Sequence, residues 1–269
     1  MKRTWPVLLV WLLLAAPAAV QAQAGSGSNF DYTINPGATN TITITEYTGT
    51  NTVVAIPTSI NNLLVTCIGD GGGSVFTDTG VTSVTIPVGV TLINAGAFIE
   101  CFTLTSVTIP SSVTVIGACA FQYCSLTNVI IPASVTNIYE FAFHGCPLFS
   151  VFFTGNAPPV NPSVFVFPKV YYLSGTTGWA NFNLNTGLAT ILWNPIIQAS
   201  GSSFGLSNNQ FGFNITGTAN IPILVEACTN LASPVWTPLQ TSTLTNGSFY
   251  FSDPQWTNYP ARYYGLGFP

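Results

Sequence analysis

Charged residues are scarce in this 269-residue chain, which has four Lys and Arg, eight Asp and Glu, and one His. Nucleic acids and anionic membranes bind proteins chiefly through Lys and Arg, so the composition argues against both as partners. The chain is not typical of disorder, because 48% of its residues are hydrophobic and can form a core. Abundant Thr, Ser, Asn and Gly favour β structure whose outer face carries hydroxyls and amides.

No apolar run of the chain, either in its N-terminal segment or after it, is long enough to span a bilayer. That segment, MKRTWPVLLVWLLLAAPAAVQAQA, has a basic start, a short apolar centre and small residues at its end. This order is typical of a secretory signal peptide, and the apolar centre falls short of the roughly 20 residues that a membrane-spanning helix needs. We expect cleavage near Ala22 or Ala24, and a mature chain that is secreted or held at the cell surface without a membrane span.

A phrase of 22 or 23 residues recurs in the middle of the chain. Three units align, VTSVTIPVGVTLINAGAFIECFT, LTSVTIPSSVTVIGACAFQYCS and LTNVIIPASVTNIYEFAFHGCP, and less regular units flank them. Each has a proline, a phenylalanine eleven residues later and a cysteine three residues after that: Pro87, Phe98 and Cys101, then Pro110, Phe121 and Cys124, then Pro132, Phe143 and Cys146. A fixed period of this length is the signature of a repeat architecture.

The repeat predicts a solenoid. In each unit, Leu-x-x-Val-x-Ile forms a short strand, and the proline ends it because proline cannot donate to a ladder. The motif V-T-x-I-G supplies a second pair of inward residues, while Phe and Cys fill the far side of the coil. One unit cannot bury its apolar face alone, but stacked units form a continuous core.

The recurring cysteine has three candidate explanations: a metal site, disulfides or a repeated buried slot. Zinc is disfavoured, because there is no C-x-x-C pair and His144 is the only histidine. Disulfides stay open in an exported protein, although three cysteines cannot all pair among themselves. We favour free buried thiols at Cys101, Cys124 and Cys146, each filling the same inward slot as a small hydrophobe.

The unit LTSVTIPSSVTVIGACAFQYCSL resembles the BspA-type leucine-rich repeat, whose usual form is L-x-x-V-x-I-P-x-x-V-x-x-I-G-x-x-A-F-x-x-C. The likeness covers about residues 53–160 and departs from the family pattern at Asn94 and Tyr139, where the family favours Gly. The resemblance implies a leucine-rich-repeat solenoid in a secreted or surface protein, several relatives being linked to adhesion. It implies no particular ligand.

The segments that flank the repeats have different patterns. Residues 29–56 alternate apolar and polar residues around the turns NPGATN and TGTN, which predicts a hairpin that caps the first coil. From about Phe204, five short runs parted by Gly, Asn and Pro predict a small β-sandwich. Its phrase VEACTNLASPVWTPL resembles a C-terminal module of exported proteins of environmental bacteria, for which no activity is well established.

The predicted fold class is therefore mainly β: a short leucine-rich-repeat solenoid with an N-terminal hairpin cap, followed by a small C-terminal β-sandwich. The corresponding domains are a signal peptide at 1–24, the cap at 29–56, the repeats at 57–160, a closing segment at 161–198 and the sandwich module at 204–269.

The sequence offers little for catalysis. Nucleophile–His–acid chemistry would have to use His144, which shares a variable repeat slot with Ile99 and Gln122. Glycoside hydrolysis needs two carboxylates across a cleft, and Glu100 and Glu140 occupy different slots two units apart. We expect no enzyme activity, no catalytic residue, no cofactor and no metal.

Binding through the strands of the repeats is better supported. Residues between the inward positions should face outward, in one column of Ser83, Ser106, Asn128 and Ser150 and another of Thr85, Thr108, Ile130 and Phe152. An exposed Ile130–Phe152 patch would dock a protein or cell-surface ligand. Two alternatives stand beside this one: residues 161–195 cover the patch, or the chain is a spacer or envelope component without a specific ligand.

Carbohydrate is a further candidate ligand, because aromatic rings can stack on sugars. Aromatic residues at strand spacing are more often core, so this hypothesis competes with simple burial. The aromatic residues concerned are Trp179, Trp193, Trp236, Trp256, Tyr259, Tyr263 and Tyr264.

Overall fold

A computed structural model describes residues 29–38, 40–77, 79–160 and 162–269. The signal peptide expected at 1–24 and its cleavage site lie outside these residues. The described chain forms two compact units, of which the first ends at Ile191 and the second runs from Leu192 to Pro269. Within the described part, no helix combines the length and apolar character needed to cross a membrane.

The described residues of the first unit form short strands and one helix, α1 (Trp179–Thr186), and the last strand ends two residues after Ile191. In chain order the strands are β1 Phe30–Ile34, β2 Thr41–Tyr47, β3 Val53–Ala55, β4 Ser59–Ile60, β5 Leu63–Ile68, β6 Ser83–Thr85, β7 Leu92–Ile93, β8 Ser106–Thr108, β9 Val115–Ile116, β10 Asn128–Ile131, β11 Asn137–Ile138, β12 Ser150–Phe153, β13 Lys169–Leu173 and β14 Thr190–Trp193.

Strands from equivalent places in successive repeats pair in parallel, as a solenoid requires. The strand that precedes each proline lies in the sheets β3-β6-β8 and β10-β12-β13-β14, and the strand of the V-T-x-I motif lies in the sheet β1-β2-β5-β7-β9-β11. Ser83 lies opposite Ser106, and Leu92 lies opposite Val115. The period of the sequence is therefore one turn of the coil, and the predicted solenoid is confirmed.

A column of stacked phenylalanines fills the interior of the coil on the side away from the strands that precede the prolines. Phe76, Phe98, Phe121, Phe143 and Phe165 are all buried, and neighbouring rings lie 5.1, 4.9, 5.1 and 5.5 Å apart, at interplanar angles of 11° or less. Each ring is held in place because the backbone of its turn bonds to the next turn; the Phe121 N–H donates to the Ala142 carbonyl at 2.7 Å. Stacked aromatic pairs add to the free energy gained by burial.

The N-terminal hairpin caps the solenoid as expected. Strand β1 pairs antiparallel with β2, and β2 pairs in parallel with β5, so the hairpin satisfies the outer edge of that sheet. Tyr47 continues the ring column, with its centroid 5.3 Å from Phe76. Asn35 ties the hairpin together, since its amide donates to Thr41 at 2.9 Å and its carbonyl accepts from Thr43 at 2.6 Å.

The far end of the solenoid is closed by β13 and by α1, a helix that the sequence patterns did not predict. Strand β13 adds to β12 in parallel. The helix lies between Gly178 and Gly187, both of which have a left-handed backbone, and it buries Trp179 and Phe182. Those two rings pack against Phe153 at 5.2 and 5.6 Å. The helix is only eight residues long, so its stability depends on this packing.

The second unit contains two antiparallel sheets, an arrangement compatible with the β-sandwich that the sequence predicts. Its two antiparallel sheets are β15-β17-β16, with β20 paired to β17, and β19-β18-β21. Phe211 and Phe213 of one sheet pack against Tyr264 of the other, each at 5.4 Å. The strands are β15 Ile196–Ile197, β16 Gly205–Ser207, β17 Gln210–Thr216, β18 Pro222–Cys228, β19 Thr237–Thr243, β20 Ser248–Asp253 and β21 Tyr263–Gly267.

Candidate functional site

The outer strand face of the solenoid carries the two predicted columns, which are in register within each of two sheets, β3-β6-β8 and β10-β12-β13-β14. Ser83 pairs with Ser106 and Thr85 with Thr108, while Asn128 pairs with Ser150. Thr85, Ser106 and Asn128 are exposed, and Ser83, Thr108, Ile130 and Ser150 are half-buried. We call these seven residues the strand face.

Phe152 does not belong to this face, and the expectation of an exposed Ile130–Phe152 patch is wrong at this residue. Its side chain is 1% exposed, and its ring stacks on Tyr171 at 4.8 Å. The cause is strand β13, which pairs with β12 and places Tyr171 directly beside Phe152. The alternative, that residues 161–195 cover this position, agrees with Tyr171 lying against it. Because β13 lacks the proline of the repeat, the sequence did not show it as a further coil.

Hydroxyl groups next to the strand face lock the spacing between turns. The Thr82 hydroxyl donates to the Thr52 carbonyl and the Thr105 hydroxyl to the Thr82 carbonyl, both at 3.1 Å. The strand face is therefore a rigid, uncharged surface whose hydrogen-bonding groups repeat at the spacing between strands, about 4.8 Å. A rigid surface loses little conformational entropy when it binds a partner.

A second surface, which sequence reasoning missed, lies on the opposite turns. We call Tyr123, Phe141 and His144 the turn cluster. The His144 ring packs edge-to-face on both aromatic rings, at 6.3 Å from Tyr123 and 5.5 Å from Phe141. Tyr123 and Phe141 are exposed, so this small aromatic surface faces solvent.

Both aromatic residues of the turn cluster have left-handed backbones, with φ of 60° at Tyr123 and 59° at Phe141. The same repeat slots hold Gly145 and Gly96, which are also left-handed. Bulky residues are rare in this conformation, and such strain often marks functional positions. Glu100 and Cys119, in the third aligned repeat of each slot, are left-handed as well. A large aromatic residue in a slot that another repeat fills with glycine is the signal that could have found this surface.

His144 is poorly placed for base catalysis. Its Nδ1 is buried and has no hydrogen-bond partner among the described residues, whereas a catalytic histidine uses one ring nitrogen to bind an orienting group. Glu100 and Glu140 are exposed on turns of different repeats. The described residues contain no group of three or more His, Cys, Asp or Glu side chains that could hold a metal.

The aromatic residues considered for sugar binding divide between core and surface. Trp179, Trp193 and Tyr264 are buried. Trp256 is half-buried, and its indole N–H donates to the Asn209 carbonyl at 3.0 Å. Tyr259 is exposed, with the Arg262 guanidinium 4.2 Å from its ring centre. Trp236 and Tyr263 are half-buried.

Comparison with known families identifies the repeats. A family model described as "BspA type Leucine rich repeat region" matches residues 72–189 with six copies. The sequence pattern suggested repeats over residues 53–160. The family match extends further toward the C-terminus and includes β13 and α1. Among curated proteins, none matches this chain.

Three solved structures are similar to parts of the chain. A leucine rich cell surface protein from Faecalibacterium prausnitzii A2-165 is 24% identical, with 58% of this chain and 56% of that chain covered and a TM-score of 0.35. A T. pallidum leucine rich repeat protein is 19% identical, with coverages of 63% and 98% and a TM-score of 0.39. A leucine-rich repeat protein from Bacteroides ovatus ATCC 8483 is 20% identical, with coverages of 56% and 55% and a TM-score of 0.35. The chain thus spans about half the length of the first and third.

Proposed function

We propose, from the premise that residues 72–189 are BspA-type leucine-rich repeats, that this chain is an exported, non-enzymatic repeat protein whose strand face binds a protein or cell-surface ligand. The observation that supports this most is the strand face itself, where Ser, Thr and Asn side chains stand in register on a rigid coil. We keep the domain division given by the sequence, with a leader at 1–24, as part of this proposal.

The chemistry of the strand face indicates the kind of contact it would make. It carries no charged side chain, so binding would rest on hydrogen bonds and shape rather than on ion pairs. Screening by salt weakens contacts between exposed charges and would leave such a surface almost unaffected. We therefore propose a ligand whose affinity changes little with ionic strength.

Charged substitutions test the strand face. Ser106→Arg with Asn128→Arg alters two exposed positions, and Phe102→Arg is the matched control because Phe102 is exposed on the turn that follows Cys101. Fluorescently labelled full-length protein would be measured on bacterial and epithelial cells by flow cytometry. We expect the double variant to lose binding at unchanged melting temperature while the control binds normally. Equal binding by all three proteins would refute a role for this face.

The two alternatives predict different outcomes, one in this cell-binding measurement and the other in a test of polysaccharide binding. A spacer or envelope component would show no saturable binding to any cell. Attachment to carbohydrate through the C-terminal module would show as retention of the full chain on insoluble polysaccharide, reduced by Tyr259→Ser and unchanged by the strand-face variant. The exposed Tyr259 ring is the observation that supports testing this second function.

A further inference from the structure

Three thiols, those of Cys101, Cys124 and Cys146, lie one above another inside the solenoid. Their residues are 7%, 2% and 4% exposed. The Cys124 thiol donates to the Phe98 carbonyl at 3.1 Å, and the Cys146 thiol donates to the Phe121 carbonyl at 2.9 Å. Each thiol therefore points in the same direction, back toward the turn before it. We call the three residues the thiol column.

The thiol column has the spacing that a disulfide needs, but only between neighbours. Residues one or two positions before the cysteines are joined by backbone hydrogen bonds: the Glu100 N–H donates to the Gln122 carbonyl at 2.8 Å, and the Tyr123 N–H donates to the His144 carbonyl at 2.9 Å. These bonds set neighbouring turns about 4.8 Å apart, within the Cα separation of about 4.4–6.8 Å found in disulfides. Cys101 and Cys146 are two turns apart, at roughly twice that spacing, and cannot be joined directly.

Shared acceptor carbonyls connect the middle cysteine to both of its neighbours. The Phe98 carbonyl that accepts the Cys124 thiol also accepts the Cys101 N–H at 3.3 Å, and the Phe121 carbonyl that accepts the Cys146 thiol also accepts the Cys124 N–H at 3.3 Å. Beyond Cys101 the column ends at the Ser74 hydroxyl, 3.3 Å from the Cys101 sulfur.

We propose that Cys124 forms one disulfide, with either Cys101 or Cys146, when the chain folds in the presence of a small-molecule or protein disulfide. Two thiols of the column lose two protons and two electrons, and an S–S bond forms between them. The oxidant's S–S bond breaks, and its two sulfurs leave as thiols after a mixed disulfide with the chain. The third cysteine of the column stays a thiol, because no neighbouring partner remains for it within the column.

Burial of the three sulfurs determines the stage of folding at which the disulfide forms. A sulfur in the closed column cannot be attacked by a dissolved oxidant, so the bond forms while the turns are stacking. Once formed, it links two successive turns and is shielded from reductants by the same burial. The oxidant is available to the chain in nature only if the chain is exported, and in this respect the inference rests on the proposed function.

Refolding with supplied oxidant tests the pairing independently of export and ligand binding. The unfolded, reduced chain would be refolded with a mixture of reduced and oxidised glutathione, and free thiols would be alkylated under denaturing conditions before peptide mass analysis. We expect one linked pair that always contains Cys124. Cys101→Ala and Cys146→Ala should each still form one pair, through the neighbour that remains, whereas Cys124→Ala should form none.

Cys228→Ala is the matched control, since Cys228 is a buried thiol of the other unit; it should leave the pairing unchanged. The proposal is overturned if all three thiols of the column are alkylated in correctly refolded protein, or if Cys124 pairs with a cysteine outside the column. Circular dichroism confirms refolding, and Cys124→Ser, which keeps a hydrogen-bonding group, replaces the alanine variant if that variant does not fold.

Discussion

The rings of Phe98 and Phe121 lie 4.9 Å apart at an interplanar angle of only 5°, although the two residues are 23 positions apart in sequence. One full repeat separates them, so the ring contact expresses the repeat period directly. The pairing of Ser83 with Ser106 and the hydrogen bond from the Cys124 thiol to Phe98 connect the same two turns. The core is thus made of columns, each built from one slot of the repeat.

The middle of the ring column should be the most sensitive point of the solenoid. Phe121 is buried and stacks on rings above and below it. Phe121→Ala removes both contacts and leaves a cavity, so we expect a loss of about 3–5 kcal/mol in the free energy of unfolding, measured by urea titration. Phe102→Ala, at an exposed ring, should change it by no more than about 0.5 kcal/mol. Similar losses for both would contradict the stacked column.

The sequence was sufficient to predict the columns and the N-terminal cap, but not the C-terminal end of the solenoid or the turn surface. Spacing alone shows that Phe98, Phe121 and Phe143 share a slot, because period and burial go together in a stacked coil. It could not show that β13 continues the coil, since β13 lacks the proline of the repeat and has Tyr172 in the slot where the pattern has Ile. Helix α1 depends on packing against Phe153, a contact that no local pattern contains.

Tyr123 of the turn cluster packs closely against the backbone of Gly145 in the next turn. The Tyr123 ring lies so close to Gly145 that a Cβ at that position would collide with it. Gly145→Ala should destabilise the protein by about 1–3 kcal/mol, partly through this collision and partly because Gly145 has a φ of 75°. Tyr123→Ala should remove the first part, so a double-mutant cycle should give a favourable coupling of roughly 0.5–3 kcal/mol. Additive effects would contradict the contact.

The second unit contains a buried ion pair. Replacing one of its two residues alone should destabilise the protein. The Arg262 Nε lies 3.0 Å from the Asp253 carboxylate, which also accepts a hydrogen bond from the Tyr264 hydroxyl at 2.9 Å. Arg262→Met leaves a buried carboxylate without its counter-charge, and we expect a loss of about 3–5 kcal/mol. Lys169→Met, at an exposed cation, is the control. A loss below about 1 kcal/mol for Arg262→Met would show that the pair is open to solvent.

Glu226 should make the stability of the second unit depend on pH. Burial raises the pKa of its carboxyl above the usual 4.5, so the folded state favours the protonated form. Its contribution to stability is therefore fully present below pH 4.5 and is lost as pH rises through the folded pKa. We expect Glu226→Gln to stabilise the protein at pH 7 in urea titrations, with a gain that disappears below pH 4.5. Glu140→Gln, at an exposed carboxylate, should show neither effect.

The stacked coil is tested most directly by the reactivity of the thiol column in native, fully reduced protein. Iodoacetamide would be added with and without urea, and alkylation would be followed at each cysteine by peptide mass analysis. If equivalent side chains form interior columns, Cys101, Cys124 and Cys146 should react only after unfolding, while the partly exposed Cys119 reacts in the native state. Equal rates at all four cysteines in native and unfolded protein would contradict the stacked coil.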